Sequence, residues 1–317
     1  HHRSSAASDV YKRQVERRTG LPSFKQSIQR SIDAYREDKS SPRSVAIKLL
    51  NTKKYSKLFV KSLGIPVAET LGLHPHINEV DFASLPDQVV LKPQWGSSNN
   101  GVFLLERVGE DAWKDDMRGF EGSAAEIRAA YLDEHDRYRS INLPVMLEER
   151  FESAEQGFPV PLDYKGYCFG GDTRLLFQRD VNAGRDPSVW RYQYYDQDWL
   201  PQNGVRPAIA DDVGLRAPQE KERIHEAMNF IARQIPLQFV SIDMYNTTRG
   251  IAFGEFTVHP GAYVQFSSRW DETLGQWYDD VAKPDETQIQ NFVTKFRDIV
   301  QNHDCLLYTS DAADDLW

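Results

Sequence analysis

Two acidic side chains near the end of the chain lie within strongly apolar stretches, where a carboxylate is costly unless it has a partner. They are Asp243, within residues 240–245, and Glu255, within residues 251–257. A turn-forming segment joins the two stretches, so as a β-hairpin they can bring both carboxylates to one face. Oxygen ligands at this density suit Mg²⁺, which takes one or two carboxylates together with substrate phosphates. The alternative is a pair of acids that are salt-bridged or exposed at a sheet edge.

A lysine at the end of a predicted strand is followed by a loop of small and polar residues. Lys92 ends the strand, and the loop contains Gly96, Ser97, Ser98 and Gly101. Glycine permits positive φ and close approach of the backbone, so amide groups of this loop can cradle phosphate oxygens while the lysine supplies charge. No helix follows the loop, so it is neither a Walker A motif nor a dinucleotide-binding fingerprint. The alternative is a hairpin loop rich in turn formers.

Charged residues on two further strands have a potential role at a nucleotide. Glu148 and Glu149 end an apolar run whose backbone can pair with an adenine edge, and a later carboxylate such as Glu152 or Glu155 can hold ribose hydroxyls. Lys165 lies on the next predicted strand and can reach a γ-phosphate if it points inward. Each also has a simpler interpretation, which is a solvated run of charges for the glutamates and an exposed strand lysine for Lys165.

Short β-branched and aromatic runs from about residue 85 predict the strands that would position these side chains. The predicted strands span residues 88–92, 102–106, 145–151, 165–169, 173–178, 190–195, 239–245 and 251–258. Helices are predicted over residues 123–138, where Ser123 and Glu126 fit a capping box, and over residues 219–235 and 286–301. Strands therefore dominate this part of the chain.

The region before residue 85 has the pattern of helices instead. Apolar residues recur at spacings of three and four in an amphipathic helix over residues 22–39. A second helix is predicted over residues 45–63, and it ends at Gly64 with Pro66 beyond. The expected division is therefore a small helical region at 15–84 and the main domain at 85–304.

Both ends of the chain resemble translated adapter sequence from a DNA sequencing library. One DNA segment read on opposite strands in shifted frames can encode parts of residues 1–14 and of residues 305–317. We exclude both segments from reasoning about the fold.

Composition excludes several classes of protein. The chain of 317 residues is 40% hydrophobic, enough for a sizeable core, and its formal net charge of −9 argues against a nucleic-acid partner, which demands a basic face. Its two cysteines, Cys168 and Cys305, supply neither a disulfide framework nor a zinc motif, which fits a reducing cytoplasm. No apolar run is long enough for a membrane span.

In this order, the motifs resemble the ATP-grasp superfamily, and specifically its branch associated with teichuronopeptide and other surface-polysaccharide biosynthesis. The resemblance spans residues 54–280 and includes a lysine–tyrosine pair at Lys54 and Tyr55. The other motifs lie at residues 81–86, 90–93, 148–149, 163–165, 195–199, 243–246, 253–257 and 270–275. The resemblance implies an α+β ATP-grasp fold in which two α+β subdomains clasp a nucleotide, preceded by the small helical region.

The resemblance further implies ATP and Mg²⁺ as cofactors and assigns roles to residues. The implied nucleotide-binding residues are Lys54, Lys92, Gly96, Ser97, Ser98, Gly101, Glu148, Glu149 and Lys165, and the implied metal ligands are Asp243 and Glu255. Thr257 stands where many members have asparagine, and Asn99-Asn100 where a second glycine is common. The number of metal ions and the loop contacts can therefore differ from those of other members.

The chemistry implied is ADP-forming ligation of a carboxylate to an amine through an acyl phosphate, with Lys165 and Arg174 as catalytic candidates. Arg174 and Arg179 can clamp an acceptor carboxylate, or they can be ordinary surface arginines. The implied partners are a small-molecule or glycan-linked carboxylate, an amine acceptor and polysaccharide-assembly enzymes. Two rival functions are a kinase for a sugar or polysaccharide precursor and a non-catalytic nucleotide-binding regulatory module.

Overall fold

The computed structural model describes residues 20–94, 100–137, 144–184, 186–212 and 214–304. The adapter-like segments 1–14 and 305–317 and the loop residues Gly96, Ser97 and Ser98 lie outside these ranges. In the described ranges, no helix is both long enough and apolar enough to cross a membrane.

The chain begins with three helices, α1 (Phe24–Glu37), α2 (Pro42–Asn51) and α3 (Lys53–Ser62). The hydroxyl of Ser23 caps α1 and that of Ser41 caps α2. The single helix predicted over residues 45–63 was wrong, because Thr52 is extended and separates α2 from α3. Asn51 and Thr52 both have poor helix propensity, which makes this a weak point in the periodic pattern.

The first sheet is antiparallel and has the strand order β1-β6-β2-β3-β4-β5. Its strands are β1 (Thr70–His74), β2 (Gln88–Pro93), β3 (Phe103–Gly109), β4 (Ala112–Asp115), β5 (Phe120–Gly122) and β6 (Val145–Glu149). Helix α4 (Ala124–Arg137) packs on this sheet through Ile127 and Tyr131. Because β1 pairs with β6, the sheet begins before the boundary expected at residue 85.

The second sheet is also antiparallel, with the strand order β10-β9-β8-β7-β11-β12. Its strands are β7 (Asp163–Phe169), β8 (Asp172–Asp180), β9 (Arg191–Asp196), β10 (Pro201–Gln202), β11 (Phe239–Thr247) and β12 (Gly250–Thr257). The remaining helices are α5 (Lys221–Ala232), α6 (Ser268–Asp280) and α7 (Glu286–Asp304). The predicted α+β class is confirmed.

Helices cover the second sheet on both faces. On one face, α1 and α6 pack over Tyr167, Leu175 and Phe177. On the other face, α2, α3, α5 and α7 pack over residues that include Tyr164 and Met244. The helical N-terminal region is therefore built into the cores of this sheet rather than standing apart from it.

Helix α6 was not predicted, although it contributes buried Trp270 and Leu274 to one of these cores. Gly275 weakens the helical pattern, since glycine costs about 1 kcal/mol relative to alanine within a helix. The fold requires this glycine, because a Cβ at residue 275 would lie 2.4 Å from the backbone nitrogen of Ser23. The contact between α1 and α6 thus explains a residue that local propensity disfavours.

Candidate functional site

A cleft lies between the two sheets, and α3 closes one side of it. The first sheet contributes Val90, Lys92, Leu104 and Glu148, the second contributes Arg179, Asp243, Tyr245, Phe253 and Glu255, and α3 contributes Lys53 and Lys57. Apolar side chains and charged groups of both signs therefore meet in one concave site, which is the usual composition of a pocket for a charged small molecule.

A β-bulge brings the two predicted metal carboxylates together. Ile242 pairs with Phe256 and Met244 with Phe253, so Gly254 and Glu255 together lie opposite Asp243. A Cβ at residue 254 would lie 2.7 Å from the Tyr245 ring and 3.2 Å from the backbone oxygen of Asp243. Glycine at this position therefore permits the bulge, which directs Asp243 and Glu255 to the same face.

Lys165 completes what we call the carboxylate cluster, formed by Lys165, Asp243 and Glu255. Lys165 lies directly opposite Asp243 on the neighbouring strand and forms an ion pair with it. Burial, together with the nearby charges of Asp163 and Glu255, raises the pKa of Asp243 to about 7 against the opposing effect of Lys165. A buried carboxylate in this position has a strong electrostatic need for a cation.

The charge on Glu255 is favoured by the lysines around it. Burial acts to raise the pKa of Glu255, but the charges of Lys53, Lys165 and Lys92 outweigh it and hold the pKa below its ordinary value. The Nζ atom of Lys53 lies 3.9 Å from a Glu255 carboxylate oxygen. Glu255 is therefore ionised near neutral pH and faces the cleft as an available oxygen donor.

A second ionic group, here called the lysine cluster, consists of Glu148 between Lys57 and Lys92. The Nζ atoms of the two lysines lie 2.6 Å and 2.5 Å, respectively, from the two carboxylate oxygens of Glu148, whose side chain is only 5% exposed. Burial acts to raise the pKa of Glu148, but the two lysines lower it below its ordinary value. Glu148 thus fixes two ammonium groups at the wall of the cleft.

The residues of the carboxylate cluster fit Mg²⁺. Asp243 and Glu255 offer oxygen donors only, and Asp243 is buried, with a pKa raised by burial and neighbouring carboxylates. Within the described ranges, no group of three or more His, Cys, Asp or Glu residues has an arrangement suited to a metal. Two carboxylates suit a cation that completes its octahedral shell with phosphate oxygens and water, as Mg²⁺ does.

A sequence model of the TupA-like ATP-grasp family matches residues 35–279. The chain belongs to this family. No curated protein matches it in sequence.

Solved structures similar to this TupA-like ATP-grasp protein include ligases at low sequence identity. The D-alanine–D-alanine ligase of Helicobacter pylori is 15% identical over 75% of this chain and 60% of that chain, with a TM-score of 0.41. The Bacillus anthracis D-alanine–D-alanine ligase complexed with ATP is 11% identical over 82% of this chain and 69% of that chain, also with a TM-score of 0.41. The Microcystis aeruginosa macrocyclase MdnC, bound with precursor peptide MdnA, is 14% identical over 74% of this chain and 61% of that chain, with a TM-score of 0.40. The chain spans about 60% to 70% of the length of these proteins.

In this TupA-like ATP-grasp protein, five of the site residues expected from sequence line the cleft, namely Lys92, Glu148, Glu149, Asp243 and Glu255, whereas Lys54 does not. Lys54 lies near the ring of Tyr55, with 5.8 Å between its Nζ atom and the ring centroid. Its neighbours Lys53 and Lys57 line the cleft instead. The sequence could have indicated Lys53 and Lys57, because residues four positions apart lie on the same face of a helix.

The described part of the predicted phosphate loop forms a hydrogen bond within the protein itself. Gly101 has a φ of +72° and its N–H donates a 2.7 Å hydrogen bond to Glu134. Asn100 lines the cleft. Gly96, Ser97 and Ser98 fall outside the described residues, so their role stays a prediction.

The structure separates the two arginines that were expected to act together. Arg179 lines the cleft and pairs with Asp163. Arg174 lies five residues earlier on β8, about 17 Å away at 3.4 Å per residue. There it borders another groove, with its guanidinium 5.9 Å from the ring of Trp277. Arg174 is therefore not part of the cleft.

Two glutamates near the predicted adenine hinge also have protein partners. Glu149 pairs with Arg249 at 2.6 Å, which joins the hinge to the β11–β12 turn. Glu155 accepts a hydrogen bond from the hydroxyl of Tyr164, which lies on the sheet face opposite Lys165. Glu155 is thus directed to the core, away from the cleft.

Proposed function

We propose that this TupA-like ATP-grasp protein is an ATP- and Mg²⁺-dependent ligase that joins a carboxylate to an amine through an acyl phosphate, forming ADP. The observation that supports this proposal is the meeting of the lysine cluster and the carboxylate cluster in one cleft. Ammonium groups on one wall can hold nucleotide phosphates, and the two carboxylates opposite them can hold the metal that accompanies those phosphates.

The proposed reaction has two steps. A substrate carboxylate oxygen attacks the γ-phosphorus of ATP, and ADP leaves with the electrons of the broken bond. The amine then attacks the acyl carbon, inorganic phosphate leaves, and the amine loses a proton to solvent. Mg²⁺, when bound, would neutralise charge on the phosphates.

The protein's own side chains position the reactants in this scheme. Lys92 and Lys165 lie on strands of the two sheets, so each can approach the phosphates from one wall of the cleft. Glu148 and Asp243 hold these lysines in place through ion pairs. Rigid placement and charge neutralisation supply most of the rate in phosphoryl transfer, which suits a site built from paired charges.

A place in bacterial surface-polysaccharide biosynthesis forms part of the proposal, and it rests on the TupA-like family match. The proposed substrates are a small-molecule or glycan-linked carboxylate and an amine, and the proposed partners are polysaccharide-assembly enzymes.

The test is release of ADP and phosphate by the full chain with Mg-ATP. Each reaction contains one pair drawn from amino acids and uronic-acid sugars, and products are identified by mass spectrometry. We expect one ADP per amide formed, with a product mass equal to the two substrates less one water. A phosphorylated sugar without an amide would instead establish a kinase. ATP binding with no ADP release for any acceptor would favour the regulatory module.

A further inference from the structure

A groove lies at the end of the second sheet that is directed away from the cleft, between α5 and α6. Its volume is about 760 Å³, and it is lined by Arg174 together with residues of both helices and of the β9–β10 turn. Arg174 and Arg179 lie five residues apart on β8, or about 17 Å, and no described residue lines both the groove and the cleft. The groove is therefore a second concave site, of a size suited to a small ligand.

Two indole rings of α6 give the groove an apolar surface. Trp270 and Trp277 both line it and meet edge to face, with 6.2 Å between their ring centroids. Trp277 is half-buried and also lies beside the guanidinium of Arg174. A partly exposed indole offers a flat apolar face next to a polar edge, which is what tryptophan contributes at binding surfaces.

Two residues of α5 form the other side of the groove. Strand β9 ends opposite Leu175, so the backbone of Thr173 has no partner on that strand. His225 Nε2 donates a 3.1 Å hydrogen bond to the Thr173 carbonyl, and Asn229 Oδ1 accepts a 2.7 Å hydrogen bond from the Thr173 N–H. These bonds fix both side chains. Each retains a second polar atom, His225 Nδ1 or Asn229 Nδ2, that forms no hydrogen bond with the described part of the chain.

Other polar groups at the groove also lack partners among the described residues. The half-buried guanidinium of Arg174 forms no hydrogen bond or ion pair there, and neither Gln202 Oε1 nor the Asp198 carboxylate accepts a hydrogen bond. Asp196, by contrast, accepts hydrogen bonds from the Asp198 N–H and from Gln202 Nε2, which orders the turn that bears these groups. The groove therefore offers free donors and free acceptors side by side.

This mixture favours a neutral ligand with many hydroxyl groups. The carboxylates of Asp196 and Asp198 disfavour an anion, and the uncompensated charge of Arg174 disfavours a cation. A hydroxyl both donates and accepts, so it can bond to a free donor and a free acceptor at once, and its bonds to charged groups are the stronger ones. A sugar combines such hydroxyls with an apolar C–H face that can pack on an indole ring.

An extended peptide fits the groove less well. A peptide that adds to a sheet pairs with free backbone N–H and C=O groups. Those of Thr173, where β8 extends past β9, are already bonded to His225 and Asn229. The free groups at the groove belong to side chains instead, which is how hydroxyls rather than peptide groups are bound.

We propose that this groove binds a neutral saccharide, with the ring of Trp277 against a sugar face and with Arg174, Asn229 and His225 hydrogen-bonded to sugar hydroxyls. The proposal goes beyond the ligase function, because it assigns a second site that shares no described residue with the cleft. It requires neither ATP nor turnover.

The experiment measures binding to the full chain by ligand-observed NMR titration, which detects weak complexes. The probes are the methyl glycosides of glucose, galactose, mannose and N-acetylglucosamine, with tetraglycine as a peptide probe. We expect at least one glycoside to bind saturably, and its affinity to be the same with Mg-ATP present and in Lys92→Ala, because the cleft takes no part. Saturable binding by none of the glycosides would overturn the proposal, and binding of tetraglycine alone would assign the groove to a peptide.

Two variants of nearly unchanged shape locate the site. Arg174→Met removes the charge, and Asn229→Asp keeps the oxygen that accepts from Thr173 while replacing the free donor with an acceptor. We expect each to weaken glycoside binding about tenfold, with thermal midpoints close to that of the wild type. Matched controls are Arg269→Met, on the exposed side of α6, and Asn302→Asp, on the exposed side of α7.

The outcomes separate this site from the ligase function. Unchanged affinity in both Arg174→Met and Asn229→Asp would overturn the groove as the binding site. Loss of glycoside binding with Mg-ATP or in Lys92→Ala would place the sugar in the cleft and would also overturn it. Absence of ADP release with every acceptor counts against the ligase alone, because the binding measurement needs no turnover.

Discussion

At the scale of single residues, the site is built from charges that are paired across neighbouring strands. Asp243 is buried opposite Lys165, and Glu148 is buried between Lys57 and Lys92. Breaking such a buried pair costs about 3–5 kcal/mol, because one charge is left uncompensated. A substitution that preserves shape but removes charge is therefore the sharpest probe of each role.

The first prediction concerns the carboxylate cluster. We expect Asp243→Asn and Glu255→Gln each to lower Mg²⁺-dependent turnover by at least a hundredfold, because each removes a charged oxygen donor for the metal. The fold should persist because the amide side chains are nearly the same size, but Asp243→Asn should be less stable because Lys165 loses its charged partner. ADP release measured against Mg²⁺ concentration gives the result. Asp279→Asn, on the exposed side of α6, is the control, and full activity in both site variants would remove the metal assignment.

The second prediction concerns Lys92. We expect Lys92→Ala to weaken ATP binding at least tenfold, because it removes one of the two ammonium groups that Glu148 holds at the cleft wall. Calorimetric titration with ATP measures this directly. Lys61→Ala, at the exposed end of α3, should bind ATP like the wild type. An unchanged affinity in Lys92→Ala would exclude this side chain from the phosphate site.

At the scale of elements, the bulge between β11 and β12 determines whether the two carboxylates meet. Without the extra residue, a shift of one position would turn Glu255 to the opposite face, because side chains alternate along a strand. Gly254 makes the bulge possible by leaving room for Tyr245. The geometry of the metal site therefore depends on a residue that supplies no ligand.

The third prediction follows from this close contact. We expect Gly254→Ala to lower the free energy of unfolding by about 1–3 kcal/mol, because the added methyl group overpacks against the Tyr245 ring. It should also impair turnover by displacing Glu255. Urea unfolding and ADP release on the same preparation measure both effects. Gly261→Ala is the matched control, because a Cβ there has nothing within 4 Å. Wild-type stability in Gly254→Ala would contradict this account of the bulge.

At the scale of the whole molecule, the N-terminal helices hold the second sheet and its loops together. Ser31 of α1 and His259, just after β12, are joined by a 3.0 Å hydrogen bond between Oγ and Nε2. Burial, together with the charges of Arg43 and Arg36, lowers the pKa of His259 from its ordinary value of 6.5 to about 4. The histidine is therefore neutral in the folded protein near neutral pH.

The fourth prediction is a pH dependence of stability. Below pH 6.5 the unfolded chain binds a proton at His259 that the folded protein does not bind until about pH 4. The free energy of unfolding should therefore fall as pH falls from about 6.5 to 4, and this contribution should level off below that. Urea unfolding of the wild type and His259→Gln at pH 7.5 and pH 5 isolates the effect. An identical pH dependence in both would contradict the assignment.

The sequence by itself determined the α+β class and most of the strands that carry the site, because residues 88–93, 163–169 and 239–257 have strong β-patterns of local origin. It also marked Lys92, Lys165, Asp243 and Glu255 as candidate site residues, whose roles stay predictions, because a charged side chain within an apolar run is visible without a structure. The shortest strands, β4, β5 and β10, escaped prediction because two to four residues are too few to show a period.

Only the tertiary structure decided which charges meet. The register of β8 separates Arg174 from Arg179, the bulge at Gly254 aims Glu255, and the packing of α3 brings Lys57 to Glu148. These arrangements join residues that are far apart in sequence, and local propensity carries no information about such pairings. The physical reason is that the hydrophobic pattern of a segment indicates the period and burial of that one helix or strand. A site depends instead on how several helices and strands pack together.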